Sequence, residues 1–197
     1  MKIGVLSDIH GDYQTLENVL NRLDTQHQTK HVVCAGDLVG RGPDQVRVVE
    51  TIRQRQIPTA RGNHDEWFYS VGEQNTKFLR SLPVDLRLRY AGVNIFMCHG
   101  KPGSNMWGLY RDHISDTLLN MMLESLNVQV LITGHTHVPL VAHVQRGMVV
   151  NPGSLYAFKS SRETSHTYGV LDLEAMTFEL YDSTATVNEP VRVDSYE

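Results

Sequence analysis

The sequence predicts an α/β (α+β) protein in which two β-sheets belong to one domain spanning residues 1–197. In the first 65 residues, three apolar runs alternate with segments of helical periodicity, the pattern of a β-α-β-α-β unit with a parallel sheet. From residue 84 onward, short strands and turns dominate, which predicts mainly antiparallel connections. No internal repeat, low-complexity stretch or Gly/Ser linker separates the halves, so we expect two sheets of one domain.

The first half contains three predicted strands, each ending in a polar loop: Ile3–Ser7, His31–Ala35 and Ile57–Ala60. After the first strand, apolar residues recur at the i, i+3, i+4, i+7 spacing of one helix face: Leu16, Val19, Leu20 and Leu23. Asp12 is a suitable N-cap for this helix. Pro43 and Asp44 begin a second predicted helix. Its predicted core-facing residues are Val46, Val49 and Ile52.

The second half begins with a strand from Val84 to Tyr90, in which apolar residues alternate with Asp85, Arg87 and Arg89 on a solvent-facing side. The strand Val93–Cys98 follows. A predicted helix then buries Ile114, Leu118, Met121 or Met122, and Leu126. Further strands are predicted at Val128–Thr133, Val138–Val144 and Met148–Val150, with a hairpin at Tyr168–Tyr181. We expect the tail from Thr184 to be a loosely held edge.

Composition narrows the class of protein. A chain of 197 residues can fold without disulfides or a structural metal, so a bound metal is expected to be functional. Lys and Arg number 18 against 22 Asp and Glu, a net charge of -4, which argues against a broad nucleic-acid face. Cys34 and Cys98 lie in apolar runs and are predicted to be buried thiols. Since neither a signal-peptide pattern nor a long apolar run occurs, we expect a cytoplasmic protein without a membrane partner.

Side chains with oxygen or nitrogen donors follow the predicted strands directly. They are Asp8, His10, Asp37, Asn63, His64, His99, His135 and His137. Loops beyond the carboxyl ends of strands in an open α/β sheet converge on one crevice, so these side chains are expected to meet. Eight donors exceed what one ion needs, which favours two divalent ions that share Asp37 as a bridging carboxylate. Since no thiolate is among them, Mn, Fe, Zn, Co or Ni is favoured over a cysteine-bound structural zinc.

The charge of such a centre indicates its substrate. Two divalent ions carry +4, and only Asp8 and Asp37 offset it, which leaves about +2. A small phosphate ester fits, because its oxygens can bridge the metals while a metal-bound hydroxide attacks in line. His64 is the candidate general acid for the leaving oxygen, with Asp65 available to orient and charge its imidazole.

Five motifs occur in order: Asp8-x-His10, Gly36-Asp37-x3-Arg41-Gly42, Gly62-Asn63-His64-Asp65, His99-Gly100 and Gly134-His135-Thr136-His137. Together they resemble the calcineurin-like metallophosphoesterases over roughly residues 1–155. The resemblance implies the fold of that family, a four-layer α-β-β-α sandwich of two mixed β-sheets. It also implies two divalent ions, with Mn²⁺ expected first. One ion would be held by Asp8, His10, Asp37 and His137, and the other by Asp37, Asn63, His99 and His135.

Two branches of the family are represented. Residues 36–43 look like protein Ser/Thr phosphatases and symmetric diadenosine tetraphosphate hydrolases, where the arginine contacts phosphate, so Arg41 inherits that role. Residues 151–154, Asn-Pro-Gly-Ser, look like the small bacterial and archaeal phosphodiesterases. We therefore expect a dinuclear enzyme that hydrolyses phosphodiesters or phosphomonoesters. The alternatives are a diadenosine tetraphosphate hydrolase with a nucleotide substrate, a protein phosphatase, or a silent protein-binding scaffold like the retromer subunit of this family.

Some residues keep two interpretations. Trp67, Phe68 and Tyr69 could stack a nucleobase, but core packing at a helix start is favoured. Residues 105–113 could form a wall over the site or a self-packed surface loop. Residues 151–154 are primarily a turn, with a site-shaping role implied by the resemblance. The remaining histidines are predicted to be structural: His27, His31, His113, His143 and His166.

Overall fold

The computed structural model describes residues 1–67, 70–156, 165–185 and 189–192. These residues form two five-stranded sheets. In chain order the strands are β1 (Lys2–Leu6), β2 (His31–Cys34), β3 (Asp85–Tyr90), β4 (Val93–Cys98), β5 (Val130–Ile132), β6 (Leu140–Val144), β7 (Gly147–Asn151), β8 (Thr167–Asp172), β9 (Thr177–Asp182) and β10 (Pro190–Val191). The helices are α1 (Tyr13–Thr25), α2 (Gln45–Gln54), α3 (Glu73–Ser81) and α4 (Asp116–Leu126).

Both sheets are mixed. The first has the order β10-β9-β8-β1-β2, with β1 parallel to β2 and antiparallel to β8. The second has the order β3-β4-β5-β7-β6, with β5 parallel to both neighbours. The predicted fold of two mixed sheets is thus confirmed, but its division into halves is wrong. The C-terminal hairpin joins the first sheet, because β8 pairs with the N-terminal strand.

Alternating side chains along the strands build three apolar layers. In β4, Ile95 and Met97 face the core between the sheets, whereas Phe96 and Cys98 face α4. In β1, Ile3 and Val5 enter the same central core, and Leu6 packs toward α1 and α2. Successive side chains of a strand point to opposite faces, so each sheet is covered on both sides. The result is the α-β-β-α sandwich.

The helix α1 follows the sequence closely. The side chain of Asp12 accepts a hydrogen bond from Thr15 N at 3.1 Å, which caps the first turn. The four predicted core residues of this helix are all buried. The helix therefore fixes the direction of the loop that joins it to β1, where Asp8 and His10 lie.

Other elements differ from the prediction. The helix α3 was not predicted. The segment Ile57–Ala60 forms only a single bridge, Thr59 with Cys34, because just one residue reaches the register of β2. In α2, Val49 and Ile52 are buried as predicted, but the third buried residue is Val48, whereas Val46 is 40% exposed. In α4 the fully buried residues are Leu119 and Leu123; of the predicted residues, Ile114, Met122 and Leu126 are partly buried against the same core, whereas Leu118 and Met121 are exposed. The reason is that Ser115 caps α4, so Ile114 precedes the helix and does not set its phase.

Both cysteines are buried, as predicted, and burial raises the pKa of each thiol. Across the described ranges, no helix is long and apolar enough to cross a membrane.

Candidate metal centre

The candidate ligands lie at one edge of the sandwich, beyond the carboxyl ends of the central strands. Asp8 and His10 follow β1, and Asp37 follows β2. His99 directly follows β4, and the loop after β5 carries His135 and His137. Asn63 comes after the bridge at Thr59. Because both sheets end at this edge, residues far apart in sequence meet there, as the sequence predicted.

The backbone is strained at these loops. Ten non-glycine residues in the described chain have positive φ, and half of them are candidate ligands: Asp8, His10, Asp37, His135 and His137. A residue with a Cβ is strained in the left-handed region, and it keeps this conformation only where the surrounding structure enforces it. Clusters of such residues are typical of functional sites, which makes this crevice the candidate site.

One group of potential ligands consists of Asp8, His10 and His137. The Nε2 atom of His137 lies 3.1 Å from Asp8 Oδ1 and 3.1 Å from His10 Nε2. His10 Nε2 is 3.8 Å from the same Asp8 oxygen. All three residues are buried and direct one ligand atom toward a common point.

A second group surrounds His99. Its Nε2 atom lies 3.3 Å from Asp37 Oδ2, 3.1 Å from Asn63 Oδ1 and 3.3 Å from His135 Nδ1. His135 Nδ1 in turn lies 3.0 Å from the Asn63 oxygen. Asp37 Oδ2 also lies 3.7 Å from His10 Nε2 in the first group. One carboxylate oxygen therefore faces both groups.

Backbone carbonyls orient two of the imidazoles. His10 Nδ1 lies 3.1 Å from Val39 O, and His99 Nδ1 lies 2.8 Å from Ala35 O. A carbonyl accepts only, so each Nδ1 carries the proton and each Nε2 can present its lone pair to the crevice. This is the outer-shell arrangement that fixes the tautomer of a metal-binding histidine.

The crevice fits a cation. Asp8 Oδ2 accepts hydrogen bonds from Ser7 Oγ at 2.5 Å and from His135 N at 3.0 Å. Asp8 Oδ1 is fully buried and accepts no well-aligned hydrogen bond from the described residues; its polar neighbours are the imidazole nitrogens of His137 at 3.1 Å and of His10 at 3.8 Å. A buried carboxylate oxygen without a partner is costly unless a positive charge compensates it. The donor set, two carboxylates with histidines and one amide oxygen, suits borderline divalent metals.

The electrostatics of the crevice favour ionised carboxylates. Burial alone would raise the pKa of Asp8, but His137 and His99 bring it well below its ordinary value. For Asp37, His99 likewise outweighs burial and lowers the pKa. Burial would lower the pKa of His99, yet Asp37 and Asp8 raise it to about 10. Burial lowers the pKa of His10 to about 4. Asp8 and Asp37 are therefore ionised in a crevice where His99 is readily protonated.

His64 lies at the edge of this crevice, on a single 3₁₀ turn formed by His64–Glu66. Its backbone N donates to Asp37 Oδ1 at 2.8 Å, and its ring centroid is 4.8 Å from that of His10. Burial lowers the pKa of His64, and the charge of Arg41 lowers it further, against the carboxylate of Asp37. Burial would lower the pKa of His137, but Asp8 and Asp37 raise it, and the exposed Arg41 opposes this rise, so the positive charge of Arg41 acts on both histidines.

The contacts of Asp65 differ from the predicted pairing with the His64 imidazole. In the described part of the chain, the hydrogen bonds that Asp65 accepts come from backbone amides of Asp37, Leu38, Val39 and Gly62. Both oxygens are occupied in this way. The side chain joins the loop after β2 to the loop that carries Asn63. Asp65 is therefore a positioning residue for these loops.

Trp67 was expected to pack into the core, and this expectation is wrong. Its side chain is 53% exposed, and its ring centroid lies 4.1 Å from that of His64. Phe68 and Tyr69 lie outside the described residues.

The segment 105–113 lies partly beside the site. Asn105 donates to Glu66 Oε1 at 2.9 Å, and Gly108 is so close to His135 that a Cβ added to this glycine would lie 3.3 Å from the imidazole. The first part of this segment therefore borders the site, whereas the 3₁₀ turn Arg111–His113 is exposed.

Sequence analysis missed how residues 151–154 support the site. Asn151 Nδ2 donates to Gly134 O at 2.8 Å and to Thr136 Oγ1 at 3.1 Å, beneath the loop of His135 and His137. Ser154 Oγ donates to Asp8 O at 2.9 Å. These partners are main-chain atoms or a hydroxyl, so only the turn pattern of Asn-Pro-Gly-Ser was visible in the sequence. The turn braces two of the ligand loops.

The other histidines have different surroundings. His27 Nε2 lies 2.9 Å from Tyr168 OH, His31 stacks on Tyr90, and His166 Nδ1 lies 2.9 Å from Leu155 O. His113 and His143 are exposed. None of these five belongs to a group of potential metal ligands within the described ranges.

The fold and the site together define a class of protein, an α/β sandwich with a histidine and aspartate crevice suited to divalent metals. The sequence profile of the calcineurin-like phosphoesterase superfamily domain matches residues 1–176. The chain belongs to this family, and its relatives include proteins named as phosphodiesterases and phosphatases.

Individual relatives agree with this assignment. A phosphodiesterase of Methanocaldococcus jannaschii is 26% identical over 183 residues, which are 88% of this chain and 94% of the relative. A symmetrical bis(5'-nucleosyl)-tetraphosphatase of Erwinia tasmaniensis is 31% identical over 83 residues, 39% of this chain and 30% of that relative. The crystal structure of a hypothetical protein from Pyrococcus horikoshii superposes with a TM-score of 0.78 at 20% identity, covering 92% of this chain and 87% of the other.

Proposed function

We propose that this chain is a phosphoesterase that holds two divalent metal ions and hydrolyses phosphodiesters or phosphomonoesters. The observation that supports it most directly is the position of Asp37 Oδ2, 3.3 Å from His99 Nε2 and 3.7 Å from His10 Nε2. A single oxygen there can serve two ions at the roughly 3.5–4 Å spacing of two-metal sites. Two such ions would supply a nucleophilic water of lowered pKa and would neutralise charge on the phosphoryl group.

The ligand sets in this proposal are those implied by the family. Asp8, His10, Asp37 and His137 would hold one ion, and Asp37, Asn63, His99 and His135 would hold the other. Mn²⁺ is the first choice for reconstitution, with Fe, Zn, Co and Ni as alternatives, because these ions share the preference for histidine and carboxylate ligands.

The residues around these ligands would donate the proton, bind the phosphate and position the loops. His64 donates a proton to the leaving oxygen, and its backbone hydrogen bond to Asp37 fixes its place beside the ligands. Its lowered pKa makes the imidazolium a stronger acid and also a less populated one at neutral pH. Arg41 provides positive charge near His64 and His137 and binds a phosphate oxygen. Asp65 keeps the two loops together through their amides.

A substrate panel tests this function. Purified protein reconstituted with Mn²⁺ is assayed on bis(4-nitrophenyl) phosphate, 4-nitrophenyl phosphate, diadenosine tetraphosphate and a phosphopeptide. We expect metal-dependent turnover of at least one aryl ester in the wild type and its loss in Asp37→Asn. The matched control is Asp172→Asn, since Asp172 lies at the opposite end of β8 from the site. Turnover that persists in Asp37→Asn, or that needs no metal, contradicts the proposal.

The same panel separates the alternatives. Efficient cleavage of diadenosine tetraphosphate or of the phosphopeptide, with little turnover of the aryl esters, would favour the tetraphosphatase or the protein phosphatase over a general phosphoesterase. Absence of bound metal and of turnover on all four esters would favour a protein-binding scaffold.

A further inference from the structure

A recess lies beside the candidate metal centre, between the 3₁₀ turn that carries His64 and the helix α3. Its volume is about 170 Å³, and its described lining includes Arg61, Trp67, Val71, Thr76, Leu79 and Arg80. For comparison, an apolar cavity of about 150 Å³ is large enough to bind benzene in another protein. The recess therefore has room for one planar ring, and besides these residues it is lined by the carboxylates of Asp65 and Glu66, the second of which pairs with Arg61.

Trp67 lines this recess and also contacts His64, the candidate general acid. Its ring centroid lies 4.1 Å from that of His64 at an interplanar angle of 42°, and its side chain is 53% exposed. Tryptophan usually buries most of its large apolar surface, so an indole that stays exposed next to a candidate general acid has a contact surface available for a ligand. The indole thus contacts the imidazole and also lines the recess, which the imidazole does not line.

The turn that carries Trp67 is held in place from two sides. Asn105 Nδ2 donates to Glu66 Oε1 at 2.9 Å, and Arg61 Nε lies 3.2 Å from the same oxygen. Glu66 directly precedes Trp67, so these contacts limit where the indole can move. A pre-positioned aromatic side chain loses little conformational entropy when it binds a ring.

We propose that this recess binds the nucleobase of a nucleotide substrate, with the base stacked on Trp67 and beside the Arg80 guanidinium. Both indole and guanidinium planes stack on bases. Because Trp67 lines the recess and contacts His64, whereas His64 is not among the described lining residues, the ring must be joined to the ester oxygen through a spacer, as the ribose of a nucleoside provides. The proposal rests on the proposed function and assigns its leaving group, a nucleoside released through its 5' oxygen.

A matched pair of substrates tests the recess kinetically. AMP and ribose 5-phosphate have the same ester oxygen and differ by the base, and their methyl esters provide the corresponding diesters. We expect the ratio of kcat/KM, base-containing over base-free, to fall by roughly 5- to 150-fold in Trp67→Ala, which corresponds to the 1–3 kcal/mol of one base–aromatic stack. Trp67→Phe should restore part of the ratio.

The control is Trp107→Ala, which removes the chain's other tryptophan, 68% exposed and not among the described residues that line the recess. The ratio should stay at the wild-type value in this variant. An equal loss on both members of a pair in Trp67→Ala would show that Trp67 only positions His64 and would overturn the proposal. A wild-type ratio near one would also overturn it.

A binding measurement keeps this inference separate from the proposed function. In the Trp107→Phe variant, Trp67 is the only tryptophan, so stacking of AMP should quench its fluorescence, and ribose 5-phosphate should not. Quenching by AMP without turnover of any ester would refute the proposed function and leave the base-binding recess standing. Turnover of aryl esters without quenching would refute the recess alone.

Discussion

Replacing Asn151 by alanine should weaken both the fold and the metal centre, because this buried side chain makes three hydrogen bonds under the ligand loops. It donates to Gly134 O and Thr136 Oγ1, and its own oxygen accepts from Gly153 N at 2.8 Å. At about 1 kcal/mol each, the three bonds predict a loss of about 3 kcal/mol in the free energy of unfolding. Support of this kind beneath metal ligands is worth about 10- to 100-fold in metal affinity.

Two measurements check the effect. Urea denaturation of the metal-free protein gives the loss of stability, and calorimetric titration with Mn²⁺ gives the loss of affinity. The matched control is Asn120→Ala, because Asn120 Oδ1 accepts from Arg146 N at 2.9 Å on an exposed surface. That variant should lose less than about 1 kcal/mol and keep its metal affinity. Equal losses in the two variants, or an unchanged Mn²⁺ affinity in Asn151→Ala, would refute the reasoning.

Three further predictions concern catalysis and pH. His64→Ala should keep both ions and lose about 10²- to 10⁴-fold in kcat on an alkyl ester. The loss should be smaller on a 4-nitrophenyl ester, because this leaving group needs no general acid. Metal analysis and kinetics of the same preparations check both expectations. Because burial and Arg41 lower the pKa of His64, kcat on the alkyl ester should already decline with rising pH below 6.5, the ordinary histidine value, and a limb above that value would contradict the assignment. Because Asp37 and Asp8 raise the pKa of His99 to about 10 despite burial, an ion that binds at neutral pH must displace a proton. Mn²⁺ affinity should therefore rise by at least about tenfold per pH unit between pH 6 and 8, and calorimetry in two buffers should detect the released proton.

The sequence predicted that the candidate ligands meet in one crevice, because their positions follow from topology. A polar residue directly after a buried strand lies in the loop at the carboxyl end of that strand. The carboxyl ends of neighbouring strands meet at one edge of the sheet. Asp8, Asp37, His99 and His135 all lie there for this reason. Neither a long-range contact nor a side-chain orientation was needed for the prediction.

The errors have local causes. In α4, Leu118 with Met121 and Leu119 with Leu123 both satisfy helical spacing, and the phase is set by the cap at Ser115. For Asp65, adjacency to His64 suggested a pair, but its carboxylate reaches amides of a loop more than 25 residues away. For Trp67, apolar character suggested the core, whereas the turn His64–Glu66 directs its indole toward the surface.

The remaining features have no signature in a single sequence. The carbonyls of Ala35 and Val39 that orient His99 and His10 are main-chain groups, which every residue type supplies. The positive φ angles of the ligand loops depend on the same long-range contacts. Such features become visible only when the loops are seen together.

Metal stoichiometry tests the central proposal, a two-ion centre built around Asp37, most directly. After loading with Mn²⁺ and removal of free ion, elemental analysis of the wild type and of Asp172→Asn should give about two ions per chain. Asp37→Asn should retain fewer than one, because the oxygen that faces both histidine groups loses its charge. One ion or none in the loaded wild type, or two ions in Asp37→Asn, would contradict the proposed centre.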